Sequence, residues 1–256
     1  MTSIHKMDII LTSSRGKGLE SYMREHYLRE SNRLRVEVVK SATYDKLLER
    51  LKSIWKKLGD EDKENCHVYF FAGLCDVTYR DYDPDFYPGT LYDEVIYNEI
   101  PSATAYRVYM NISDVDREVR LLGAEPIFCT IIPCSLRVWN YTRLTQHKTA
   151  FLLHHAHYDD MQHLLIETIQ KLNILITNHN VAYHKQTPHT ADTIIHNMGD
   201  GKKRVRYGKL TDGVHAGSID KTRMEQKSEK KVLSLTEIWA LKITASIHKN
   251  RKLSKK

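Results

Sequence analysis

The stretch that decides the fold is MDIILTSSRGKGL, at residues 7–19. Its residues 9–11 are an apolar run, which is typical of a strand buried between layers of helices. Ser13 and Ser14 follow that run directly, and a helical pattern begins a few residues later. A serine between the carboxyl end of a first strand and a helix lies where open α/β sheets bind their ligands.

Two interpretations of these hydroxyls are open. Serine is a favoured N-cap residue, so Ser13 and Ser14 would in the first interpretation only cap the helix. In the second, backbone N–H groups at the turn hold developing negative charge beside a serine nucleophile. The far end of the chain favours the second interpretation, because TDGVH at residues 211–215 supplies an aspartate and a histidine three residues apart.

Apolar runs and helical periodicity alternate along the rest of the chain. Strands are predicted at 35–39, 67–72, 126–133 and about 193–197, and helices at 17–30, 43–58, 111–122, about 141–177 and 232–247. This alternation predicts a parallel sheet with right-handed crossovers. Without repeats or low-complexity linkers, the chain is predicted to be one domain at 1–248 with a basic C-terminal tail at 249–256.

Residues 77–109 interrupt the alternation with seven tyrosines, three prolines and an acidic cluster. We expect an inserted loop or small hairpin over the carboxyl edge of the sheet, where such segments often carry function. Its tyrosines and acids could bind a sugar or a base, or the insertion could simply pack its own aromatic rings. A bound ligand here would be polar rather than a long acyl chain.

The formal net charge of +7 is unevenly distributed. Residues 201–256 hold 16 Lys and Arg against five Asp and Glu, whereas residues 1–200 have a net charge of −4. A basic end on a mildly acidic body points to a polyanionic partner such as nucleic acid, or only to a solvated tail. The candidate nucleic-acid contacts are Lys202, Lys203, Arg204, Arg206, Lys249, Arg251 and Lys252.

Four cysteines occur singly, without a CxxC pair, which favours reduced thiols and an intracellular, cytoplasmic or nuclear protein. No secretory signal and no apolar run of the roughly 20 residues that a membrane span needs is present. A histidine-rich segment at 147–163 matches no zinc spacing, so we interpret it as a polar helix surface and predict no metal site.

Four short segments follow one another at the predicted strand ends: TSS at 12–14 with GL at 18–19, SA at 41–42, GLCD at 73–76 and DGVH at 212–215. In type, order and spacing they resemble the four blocks of the SGNH (GDSL-type) hydrolases, over nearly the whole chain. The nearest resemblance is to divergent members encoded by invertebrate retrotransposons and DNA viruses. It implies an α/β fold of flavodoxin type, a three-layer α/β/α sandwich with a mainly parallel sheet of about five strands.

The resemblance also implies a catalytic triad and no cofactor. Ser14 takes the position of the family's nucleophile, although Thr12 and Ser13 replace the usual Gly and Asp. The fourth block is matched in full, with His215 as general base and Asp212 as the residue that orients it.

The oxyanion hole of the family combines the N–H of the nucleophile, the N–H of a second-block glycine and a third-block asparagine side chain. These positions fall on Ser14, Ser41 and Cys75, and Gly73, which begins the third block, is expected to supply part of what remains of the hole. A thiol is a poor donor, and loss of one oxyanion donor costs about 100- to 1000-fold in rate. Serine at 41 matters less, because the donor there is a backbone group, provided that its φ angle is tolerated.

Two functional hypotheses follow from these matches. The first is a serine esterase or deacylase that acts by Ser-His-Asp acyl transfer on a polar ester, either a small molecule or a glycan. The second is a catalytically degenerate SGNH fold that serves as a nucleic-acid-binding or assembly module of a mobile element or virus. Retention of the triad residues favours the enzyme, whereas the missing oxyanion donor and the basic C-terminal segment favour the second hypothesis.

Overall fold

The computed structural model describes residues 7–26, 33–81, 94–96, 99–147, 158–197, 203–205, 210, 214–215 and 234–253. The strands are β1 (Asp8–Thr12), β2 (Leu34–Val38), β3 (His67–Phe71), β4 (Tyr79–Asp81), β5 (Glu94–Ile96), β6 (Glu125–Phe128), β7 (Ile195–Asn197) and β8 (Lys203–Val205). The helices are α1 (Leu19–His26), α2 (Tyr44–Trp55), α3 (Asp60–Lys63), α4 (Leu74–Val77), α5 (Pro101–Leu121), α6 (Leu136–His147), α7 (Tyr158–Ala182) and α8 (Leu235–Leu253). Short 3₁₀ turns occupy Ser14–Gly16 and Ala191–Thr193.

The central sheet has four parallel strands in the order β2-β1-β3-β6. The chain passes from β1 outward to β2 and then returns across β1 to reach β3. The connections after β1 and before β3 therefore lead to opposite sides of the sheet. Open α/β sheets bind ligands in the crevice outside the carboxyl ends of two strands related in this way. Ser13 and Gly73 follow these two strands closely, so the predicted first and third blocks meet at this point.

Helices cover both faces of the sheet because its central strands β1 and β3 are apolar on both sides. Ile9, Leu11 and Phe70 belong to a core that includes residues of α2, α5 and α7. Ile10 and Tyr69, which point the opposite way, belong to a second core with α1 and α8. All five side chains are fully buried, which makes the molecule the predicted three-layer α/β/α sandwich.

The sheet is smaller than expected, because the predicted fifth strand does not join it. β7 pairs with β8 in a separate antiparallel ribbon. The fourth predicted strand, β6, also ends at Phe128 instead of running to 133. Beyond it the backbone finds other partners, since Thr130 N–H donates to Pro188 O and Ile131 N–H donates to Asn173 Oδ1 on α7.

The predicted insertion at 77–109 is shorter than expected, because α5 already begins at Pro101. Proline at the first helical position starts a helix, since that position needs no N–H partner. Of the expected hairpin, β4 and β5 form an antiparallel pair, and residues 82–93 lie outside the described part of the chain. Tyr109 belongs to α5, where its hydroxyl lies 3.4 Å from His179 Nδ1.

The amino ends of the central strands form a buried charge cluster on the edge opposite Ser14. His67 on β3 lies 3.4 Å from Asp8 Oδ1 and 2.9 Å from Glu125 Oε2. Burial lowers the pKa of His67, but its interactions with these two acids outweigh burial and raise it. The hydrogen bond from His67, helped by Lys185, lowers the pKa of Glu125 to about 2.

This cluster corrects the prediction of a basic tail at 249–256. α8 continues to Leu253, and its Arg251 forms an ion pair with the fully buried Asp8. Asn250 is fully buried as well, and its side-chain amide accepts a hydrogen bond from Gln186 N–H. Residues 249–253 are therefore a helical part of the folded domain and not a tail.

Within the described ranges, no helix is long and apolar enough to span a membrane. All four cysteines are free thiols, three of them buried. The histidines of the segment 147–163 fall largely outside the described side chains, and His163 is an exposed residue of α7.

Candidate active site

The turn after β1 gives each of its two serines a different role. Thr12, at the end of the strand, is buried and its hydroxyl donates to Phe71 O at 3.0 Å, which ties the ends of β1 and β3 together. Ser13 caps the 3₁₀ turn, because its Oγ accepts from Arg15 N–H. A Cβ at Gly16 would come within 2.2 Å of the Thr12 side chain, so the tight turn requires glycine. The cap is thus Ser13, and Ser14 faces a cavity.

Ser14 and His215 meet in that cavity. Ser14 Oγ lies 2.7 Å from His215 Nε2, which is hydrogen-bonding distance between residues 201 positions apart. Trp139 on α6 lies beside the imidazole, with ring centroids 5.7 Å apart. Asp212, the predicted third member of the triad, lies outside the described residues.

Ser41 lies in the turn between β2 and α2, where the family has glycine. Its φ angle is +47°, in the left-handed region that favours glycine. The turn therefore has a backbone conformation of the glycine type, although the residue is serine. Ser41 is exposed, and its carbonyl accepts from Lys46 Nζ at 3.2 Å.

Gly73 opens the third block in a conformation that no other residue could adopt easily. Its φ angle is +108°, and a Cβ there would lie 2.5 Å from Ile131 Cδ1 and 2.8 Å from the Tyr44 hydroxyl. The chain then enters the single turn of α4, which places the half-buried Cys75 in the wall of the cavity. Cys75 therefore places a thiol group in the cavity wall, at the position where the resemblance predicts an amide donor.

Asp76 links the third block to the second. Its Oδ1 accepts from Tyr44 N–H, the first residue of α2, at 3.1 Å. Desolvation by burial raises the pKa of this carboxyl to about 7, against an ordinary value of 3.8. The hydrogen bond holds the turn that contains Ser41 next to α4.

The cavity between these segments has a volume of about 460 Å³. One part of its wall is apolar and includes Leu74, Trp139 and Val214. The predicted residues Ser14, Ser41, Cys75 and His215 all line it. The structure therefore brings together, at one site, residues from all four sequence blocks.

Several lining residues were not foreseen in the sequence. Trp139 follows the fourth predicted strand by only a few positions, so its closeness to the ligand edge was a usable signal. Lys17, three residues after Ser14, had the same signal, whereas Lys46 had none, because only the tertiary structure turns it toward the cavity. Ser135, which also follows that strand, does not line the cavity; its Oγ accepts from Val138 N–H and caps α6.

Of the residues proposed for nucleic-acid contacts, Lys249, Arg251 and Lys252 have described side chains, and none of these three lines the cavity. Lys203 and Arg204 are in β8, Lys249 and Lys252 are exposed on α8, and Arg251 is bound to Asp8. Lys202 and Arg206 lie outside the described residues. Arg251 is therefore the weakest of the candidate nucleic-acid contacts, because its charge is paired with that of Asp8.

Comparison with known proteins supports the architecture. The sequence matches no family model and no curated protein. The structure is similar to that of a protein described as an acylhydrolase from Bacteroides fragilis, with a TM-score of 0.53 and 12% identity over 98% of this chain and 88% of the other. It is also similar to the acetyl xylan esterase AlAXEase, with a TM-score of 0.50 and 11% identity over 95% of this chain and 99% of the other. At these identities the likeness shows a shared fold and nothing beyond it.

Proposed function

We propose that the protein is a serine hydrolase, an esterase or deacylase that transfers an acyl group through Ser14. The observation that carries this proposal is the distance of 2.7 Å between Ser14 Oγ and His215 Nε2 at the wall of a cavity. A serine hydroxyl is a weak nucleophile until an adjacent base takes its proton, and an imidazole at this distance is the usual base.

In the proposed reaction, Ser14 Oγ attacks the carbonyl carbon of the ester while His215 Nε2 takes the hydroxyl proton. The tetrahedral intermediate collapses, the C–O bond to the alcohol breaks, and His215 returns the proton to the leaving oxygen. Water then attacks the acyl-enzyme by the same route, releases the acid and restores the Ser14 hydroxyl. Asp212 is the proposed partner of the other imidazole nitrogen.

The oxyanion would be held mainly by backbone groups. The N–H groups of Ser14 and Ser41 are the proposed donors, and the conformations of Ser41 and Gly73 support this assignment. Cys75 contributes a thiol, which is a weak donor, so we expect turnover below that of a site with an amide at this position. A cavity of about 460 Å³ suits a compact ester.

The test is covalent labelling with a fluorophosphonate probe, which reacts with activated serines irrespective of the natural substrate. We expect wild type to be labelled and Ser14→Ala and His215→Ala to remain unlabelled. Ser21→Ala is a matched control, because Ser21 is an exposed serine of α1 outside the cavity wall. Wild type that stays unlabelled, or Ser14→Ala that labels as strongly as wild type, would contradict the proposal.

A further inference from the structure

The charged side chains in the wall of the cavity are of one sign. Apart from His215, the charged residues that line it are Arg15, Lys17, Lys40 and Lys46. No aspartate or glutamate lines the cavity within the described part of the chain. This is not the background charge of the chain, because residues 1–200, which contain all four, have a net charge of −4.

The four cations differ in how firmly they are held. The Arg15 side chain is buried, and its guanidinium donates to the carbonyls of Ile132 and Pro133, so its charge is fixed below the cavity. Lys46 Nζ is anchored on Ser41 O, beside the proposed oxyanion hole.

The other two lysines are exposed and belong to two different segments of the cavity wall. Lys17 ends the 3₁₀ turn of Ser14, and Lys40 precedes Ser41. An anion in the opening would thus meet a cation on the nucleophile side and another on the oxyanion side.

Among the described residues, two carboxyl groups near the cavity do little to offset this charge. Asp76 neighbours Cys75 in sequence but is not part of the cavity wall. Burial raises its pKa to about 7, so near neutral pH a large part of it is uncharged. Asp45 is exposed on α2 and does not line the cavity either.

We propose that the substrate is an anionic ester, whose scissile carbonyl sits at Ser14 while a carboxylate or phosphate elsewhere in the molecule is held by Lys17, Lys40 and Lys46. This inference rests on the proposed hydrolase function and names its substrate class. Clefts lined by one sign of charge concentrate ligands of the opposite sign and raise their rate of association. The anion can belong to the acid or to the alcohol part of the ester.

The first test compares matched ester pairs that differ only in charge. The 4-nitrophenyl hemiester of succinic acid, with its anion on the acyl side, is paired with 4-nitrophenyl butyrate. 4-Acetoxybenzoate, with its anion on the alcohol side, is paired with its methyl ester, and 4-acetoxyphenyl phosphate extends that series to phosphate. We expect kcat/KM for at least one anionic ester to exceed that of its neutral partner by tenfold or more. The pair with the larger ratio identifies the side of the anion.

The second test removes the charges one at a time. One unit charge at about 4 Å in water is worth about 1 kcal/mol, or roughly fivefold, so each of Lys17→Gln, Lys40→Gln and Lys46→Gln should lower the anionic-to-neutral ratio by up to about fivefold. Lys56→Gln is the matched control, because this exposed lysine follows α2 at the end away from the cavity. Added salt should lower the anionic-to-neutral ratio of kcat/KM for wild type. It should leave the ratio nearly unchanged for the variant that combines all three Lys→Gln substitutions.

Failure of this inference is distinguishable from failure of the hydrolase proposal. If Ser14 labels with fluorophosphonate but wild type hydrolyses neutral and anionic esters alike, the substrate class is wrong and the hydrolase stands. If Ser14 does not label, binding of succinate and of inorganic phosphate is measured by calorimetry with wild type and the triple Lys→Gln variant. Binding lost in the triple variant supports the anion site, and equal or absent binding in both overturns it.

Discussion

The most direct test of the second block is the substitution Ser41→Gly. Ser41 has a φ angle of +47°, a conformation that glycine adopts freely and other residues adopt at a cost. The Ser41 carbonyl accepts a hydrogen bond from Lys46 Nζ, and glycine has the same carbonyl, so this bond is retained. The side chain is exposed, so little packing is lost. The substitution therefore isolates the backbone strain.

The expected change in the free energy of unfolding is the difference between two effects. Left-handed backbone costs an L-residue about 1–2 kcal/mol, which glycine avoids. Glycine loses more conformational entropy on folding, which costs about 0.5–1 kcal/mol. We therefore expect Ser41→Gly to raise the free energy of unfolding by about 0.5–1 kcal/mol, or roughly 1–4 °C in Tm for a chain of this size.

The assay is urea denaturation, with Tm as a second readout. Ser53→Gly is the matched control, because Ser53 is an exposed serine within α2 and glycine there should lower stability by about 0.5 kcal/mol. The same chemical change is thus expected to have opposite signs at two positions. If Ser41→Gly lowers stability as Ser53→Gly does, serine at 41 is not strained and the assignment of this turn as a glycine-type oxyanion turn loses its support.

The remaining predictions concern the third block. Gly73→Ala should lower the free energy of unfolding by about 2–4 kcal/mol, because its Cβ would lie 2.5 Å from Ile131 Cδ1 at a left-handed φ; a loss below about 1 kcal/mol in urea denaturation would contradict this. Cys75→Asn should raise kcat for ester hydrolysis about tenfold by restoring an amide donor; a fall in kcat would mean that another group holds the oxyanion. Asp76 has a folded-state pKa raised to about 7, so its contribution to stability is lost as pH rises from about 4 through 7. Asp76→Asn should therefore be more stable than wild type at pH 8 by a few kcal/mol, since one pKa unit corresponds to about 1.4 kcal/mol. At pH 4 the two proteins should be similarly stable. Parallel pH profiles of their stability in urea denaturation would refute this.

The sheet could be predicted because its central strands β1 and β3 are buried on both faces. Residues 9–11 and 68–70 are continuous apolar runs, and this pattern is specific for a strand between two helical layers. The strand near Ile195 was located correctly but assigned to the wrong sheet. Strand pairing is a long-range contact that a local pattern cannot report. Pro101 was interpreted as part of a loop, although proline also starts helices.

The core of the site could be predicted for a different reason. Ser14 and His215 were chosen from the order of four short blocks, and the structure places them in hydrogen-bonding distance. Lys46 was missed because no local pattern says that it faces the cavity, whereas the position of Trp139 just after the fourth predicted strand was a signal that went unused. Arg251 was misassigned because a run of basic residues does not reveal that one of them is needed as the counter-ion of a buried acid.

The separation of 201 residues between Ser14 and His215 has a consequence for protein synthesis. At about 5–20 residues per second, the ribosome would deliver the histidine roughly 10–40 s after the serine. Through that interval the hydroxyl has no base and is no more reactive than any other serine. In the proposed hydrolase the nascent chain would therefore carry an inactive nucleophile, and the appearance of fluorophosphonate reactivity would time the moment at which Ser14 and His215 come together.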